Sequence, residues 1–197
     1  MTSVRSVFAL LLPLVLFGCA FGSGETVQRY VLPAPQVEAS KAPLPLNVQV
    51  LPVDVAAGLD TARIAVLESG ARMNYLEGAR WAEPLPDMLQ DMWIDALRKS
   101  RLARSASNDF SAIKADRILH ITANAFQAER ENGDMNVTVD YAVKVIAPDT
   151  HAVLAVEELR LFKRAPASDT DSLMRTFVEV NADAMRGLIQ KLANDIK

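Results

Sequence analysis

The spacing of apolar and polar residues changes period several times along this chain, and each change predicts an element. Val48, Val50 and Val53 are separated by polar or turn residues, which predicts a first strand in a folded part beginning near Leu46. Residues 63–67 and 71–75 read as two short strands around Glu68-Ser69-Gly70, and Glu77-Gly78 reads as a second turn leading into Ala79-Arg80-Trp81. The period then lengthens. Leu85, Met88, Leu89, Met92, Trp93, Ala96 and Leu97 recur at helical spacing, with Pro84 and Pro86 where a first turn tolerates proline. Residues 100–116 read as a polar connector. After it Leu119, Ile121, Ala123 and Ala125 alternate with His120, Thr122 and Asn124, and residues 135–145 alternate most cleanly. Residues 152–162 complete a predicted antiparallel meander, with Pro148-Asp149-Thr150 as a turn. Leu173, Phe177, Val180, Ala184, Leu188 and Leu192 mark a long closing helix, capped from within residues 169–172. One-sided strands and one-sided helices bury their apolar faces together. The expected fold is α+β: a two-layer domain, its mostly antiparallel sheet covered on one face by two amphipathic helices.

The start of the chain follows another logic. Arg5 is its only charge before Glu25, and Val7 to Phe17 is apolar apart from Pro13. That is the layout of a secretory signal peptide, expected here over residues 1–18. Its end, Leu16-Phe17-Gly18-Cys19, holds the one Cys of the chain. The run resembles the lipobox of bacterial lipoproteins, in which a small residue precedes a Cys that is acylated and becomes the mature N-terminus. A plain signal peptide with an incidental Cys is the other reading. Each buried methylene contributes about 0.8 kcal/mol, so several acyl chains on Cys19 anchor a protein stably where one binds reversibly. Ala20 stands where, by resemblance to known sorting signals, an Asp favours retention in the inner membrane. An outer-membrane anchor facing the periplasm is therefore expected. Residues 19–45, with prolines at 33, 35, 43 and 45, read as a lipidated N-terminus and tether. Within it, Tyr30-Val31-Leu32 is a β-prone patch suited to dock as an edge strand. Residues 46–197 then form the periplasmic domain.

Composition narrows the function without naming it. The 21 basic and 24 acidic groups leave a net charge of -3, which argues against a nucleic-acid partner. The two histidines, His120 and His151, lie far apart, and no cluster with metal-ligand spacing accompanies them. There is no G-x-S-x-G elbow, phosphate-binding glycine loop or H-E-x-x-H, and Glu157-Glu158 would point to opposite faces of a strand. No catalytic residue, cofactor or metal is expected, and the chain is not read as an enzyme. Gly78-Ala79-Arg80-Trp81-Ala82-Glu83-Pro84-Leu85 does stand out. Arg80, Trp81 and Glu83 before a helix make a candidate partner-binding site, with Trp81 as an interface anchor; the same Trp would equally serve as a core plug.

Taken together, the lipobox, Tyr30-Val31-Leu32-Pro33, Leu59-Asp60-Thr61-Ala62-Arg63-Ile64, Arg80-Trp81-Ala82-Glu83-Pro84-Leu85 and the long terminal helix resemble the ABC-type transport auxiliary lipoproteins. The resemblance covers roughly residues 28–197 and includes the auxiliary lipoprotein of the paraquat-inducible operon. It implies a non-catalytic component of an intermembrane lipid transport system, partnered by an MCE-domain protein and an ABC transporter. Open sheet edges and a membrane anchor also point to a homo-oligomer. A second reading is an envelope regulatory or assembly lipoprotein, such as an activator of cell-wall synthases.

Overall fold

A computed structural model describes residues 27–41, 43–69, 72–109 and 114–196. The expected signal peptide and Cys19 lie outside the described residues. Those described form nine strands and two helices, in the order β1 (Gln28–Tyr30), β2 (Leu44–Val50), β3 (Asp54–Val55), β4 (Arg63–Glu68), β5 (Arg72–Trp81), α1 (Leu85–Ser100), β6 (Ala103–Ser107), β7 (Arg117–Glu131), β8 (Asp134–Ile146), β9 (Val153–Arg164) and α2 (Thr170–Asp195).

The meander β7-β8-β9 is antiparallel, as expected, but the sheet as a whole is mixed and open. β7 is the axis of the sheet. One edge pairs with β8 along its whole length, from Ile118↔Ile146 to Glu131↔Asp134. The other edge is shared in parallel by β2, β3 and β4. From β2 the sheet continues to β6, and from β4 to β5 and then β1, so it forks on that side of β7. The β2-β6 and β1-β5 pairs are parallel as well. The expectation of a mostly antiparallel sheet is only partly right, because alternation reports which face a strand buries, not the direction of a partner far away in the chain.

Two local readings also change. The connector at 100–116 contains β6, whose Ala103 and Ala106 are buried beside β2. Small residues gave it too little apolar signal. The turn expected at Glu77-Gly78 is instead an irregularity inside β5, where the register shifts between the pairs Arg63↔Arg80 and Ala65↔Tyr75. Gly78 has φ +65°, a conformation open to glycine at little cost, so the strand bends and continues to Trp81 instead of reversing.

The core is one cluster with five large, fully buried rings at its centre: Trp81, Trp93, Phe126, Tyr141 and Phe177. Trp93 of α1 meets Tyr141 edge-on at 5.6 Å. The Tyr141 hydroxyl donates to Asn181 Oδ1 of α2 at 2.8 Å, and Asn181 reaches Met92 Sδ. One β8 side chain thus touches both helices. Burial, with no charge nearby to favour the anion, pushes the Tyr141 phenol well above its usual 10. α2 starts where expected, with the Asp169 carboxylate accepting from Ser172 N at 2.9 Å.

Residues ahead of Leu46 already belong to this packing. β1 lies parallel to β5, Leu32 and Pro35 are buried, and Ser40 N donates to Ser100 O at the end of α1. Of the patch Tyr30-Val31-Leu32, expected as an edge strand, Tyr30 ends β1 at the sheet edge and Leu32 is buried, while Val31 lies past the strand and is exposed.

Candidate functional site

The segment from β5 into α1 sends its successive side chains to opposite sides, as strand geometry demands. Ala79 and Trp81 face the core and Arg80 faces solvent. Trp81 is 1% exposed, its ring edge-on to Phe126 at 6.0 Å and to Phe177 at 5.3 Å. It joins β5, β7 and α2 at the point where the sheet hands over to α1. Of the two roles open to this residue, the geometry realises the core plug. Its backbone is tied too: Trp81 N donates to Ala62 O, and Ala82 N to Tyr30 O.

Arg80 and Glu83 therefore remain as the surface of the candidate site, and they face different surroundings. Glu83 borders a cleft of about 420 Å³ between the segment after β1 and α1, lined by Val31, Leu32, Met88, Asp91 and Ile94. Arg80 stands on the side of β5 opposite Trp81, away from the Phe177 ring of α2. Its parallel neighbour on β1 is Arg29, and its antiparallel neighbour on β4 is Arg63. Three guanidinium-bearing residues thus stand in one row across three adjacent strands. Arg63 lies 3.6 Å above the Tyr75 ring, whose hydroxyl donates to Gly58 O. Among the described residues none of the three arginines forms an ion pair. Sequence reasoning picked out Arg80 but missed Arg29 and Arg63, since only the strand register brings positions 29, 63 and 80 together.

His120 Nε2 lies 2.6 Å from Asp54 Oδ2 and His151 is exposed in the β8-β9 turn, 31 positions on. No group of three or more metal-ligating side chains occurs among the described residues. No described helix is long and apolar enough to cross a membrane.

This chain has relatives in fold among solved structures. Its fold is similar to that of protein XCC0632 from Xanthomonas campestris, a DUF330 protein, at 20% identity and TM-score 0.75, covering 85% of this chain and 96% of the other. It is also similar to the hypothetical protein CT253 from Chlamydia trachomatis, at 7% identity and TM-score 0.57, covering 78% and 98%. No curated protein matches. The family model for the ABC-type transport auxiliary lipoprotein component matches residues 30–196, from the strand that docks at the sheet edge to the end of α2, and the chain belongs to that family.

Proposed function

We propose that this protein is an outer-membrane-anchored periplasmic lipoprotein that serves, without catalysing a reaction, an MCE- and ABC-type system moving lipids between membranes. The observation that carries the reading is the match to an ABC-type transport auxiliary lipoprotein component over residues 30–196, in a chain whose one Cys ends an apolar leader. Cys19 is the acylation site and the mature N-terminus. The folded domain is a docking module, assembling with copies of itself and with an MCE-domain protein. Arg80 and Glu83 are exposed and available to a partner, while the buried Trp81 anchors the end of β5 between them.

The test is acyl labelling and membrane fractionation in the native host. The wild-type chain takes up labelled fatty acid and sediments with the outer membrane. Cys19→Ser takes up none, and labelling of that variant at the wild-type level would overturn the assignment.

A further inference from the structure

We infer that the row Arg29–Arg80–Arg63 is a membrane-docking surface that binds the phosphate-bearing headgroups of anionic phospholipids. The ligands sit in the same bilayer that holds the Cys19 acyl chains, so the inference rests on the lipid-anchor part of the proposed function.

The arrangement is unfavourable by itself. Like charges directly opposite one another on neighbouring strands repel, and adjacent strands lie only about 4.8 Å apart. Three arginines elsewhere on the sheet are neutralised. Arg130 bonds to Glu68, Arg160 lies within 4.0 Å of Glu129 and 3.9 Å of Asp140, and Arg164 pairs with Asp134. Among the described residues no carboxylate forms an ion pair with the row, and the two that share a cleft with Arg63, Glu68 and Glu77, leave it unpaired. Arg63 also lies over the Tyr75 ring, which attracts its guanidinium and restricts where it can go. Planar guanidinium forks match phosphate oxygens in pairs, so an unneutralised row fits a surface of phosphates.

The chain's own geometry brings the row to a membrane. Because β1 is docked on β5, the leash to the anchor is short: Cys19 precedes Gln28 by nine positions. Extended chain spans at most about 3.6 Å per residue, so the start of β1 stays within about 30 Å of the bilayer. Val27 and Val31, 42% and 69% exposed, flank Arg29 at alternate positions. Val27, two positions before Arg29, offers an apolar side chain to the interfacial region beside that cation, while Val31 lies past the end of β1 at the cleft against α1. Each basic residue close to an anionic surface weights the docked state by about fivefold.

The experiment uses the full acylated chain, reconstituted through its anchor into vesicles. A fluorophore on Gln28→Cys, the one free thiol once Cys19 is acylated, is read against quenchers on the lipid headgroups. Vesicles of neutral phosphatidylcholine are compared with others containing phosphatidylglycerol. Quenching is expected to be stronger with phosphatidylglycerol and to fall at high salt. The docked-to-undocked ratio is expected to drop about fivefold for each of Arg29→Ser, Arg63→Ser and Arg80→Ser. The triple Lys variant should keep most of the docking. Equal quenching in both vesicles, quenching retained in the triple Ser variant, or quenching seen only when an acidic protein partner is added would overturn the inference. A chain that fails to float with vesicles refutes the anchor and the inference with it. A chain that floats and does not dock refutes the inference alone.

Discussion

Trp81→Ala tests whether the most distinctive run of the sequence shapes the fold or binds a partner. The indole is 1% exposed and contacts Phe126 and Phe177 edge-on, at 6.0 and 5.3 Å. Removing a large buried ring costs about 3–5 kcal/mol, from lost transfer free energy and from the cavity left behind. Two well-formed aromatic pairs, each contributing about 0.5–1.5 kcal/mol, place the value in the upper part of that range. Partial collapse is restricted, since β5 is pinned on both sides by Trp81 N to Ala62 O and by Ala82 N to Tyr30 O. The assay is urea unfolding of the mature chain, followed by far-UV circular dichroism. With a slope of about 2 kcal/mol per molar, the midpoint should fall by about 2 M. Glu83→Ala, exposed and without an ion pair among the described residues, should stay within about 0.5 kcal/mol of wild type. A Trp81→Ala protein that unfolds at the wild-type midpoint and has lost only partner binding would refute the core-plug reasoning.

Three further predictions probe the packing. Tyr141→Phe leaves Asn181 Oδ1 buried without its donor and should cost about 1–3 kcal/mol in unfolding experiments near neutral pH. Because the folded state holds the Tyr141 proton more tightly than the unfolded chain, its contribution is complete below pH 10 and is lost as pH rises toward the higher folded value. Unfolding series between pH 8 and 11 should show that alkaline loss in wild type and less of it in Tyr141→Phe. Gly58→Ala places a Cβ at φ +88° and 2.5 Å from Met73 Sδ, and should destabilise by about 1–3 kcal/mol in thermal unfolding; an unchanged melting temperature would count against the turn geometry. Gln49→Met removes a buried amide nitrogen that has no hydrogen-bond partner among the described residues, and should raise stability by about 1 kcal/mol in the same assay.

What could be read from the sequence were the features written in local periodicity. α1, α2 and the meander declare themselves through repeats of apolar residues, and the Asp169 cap through a short polar residue before such a repeat. β6 stayed hidden because its inward residues are alanines and its partner, β2, lies more than 50 positions upstream. The parallel pairings of β7 were hidden for a related reason: alternation is the same whichever way a neighbouring strand runs. Gly78 looked like a turn because a positive φ serves a bulge and a reversal equally well, and only the partner register tells them apart. The arginine row depends on register across three strands and could not be read from any one of them. Trp81 was visible as important, and its direction was decided by the phase of β5.

The central claim is that this lipoprotein works within an MCE- and ABC-type transport system. It is tested most directly by crosslinking living cells, solubilising their membranes, purifying the acylated chain and identifying what comes with it by mass spectrometry. The account predicts enrichment of an MCE-domain protein, reduced when Cys19→Ser removes the anchor. Recovery of cell-wall synthases in its place, with no MCE-domain protein above background, would contradict it.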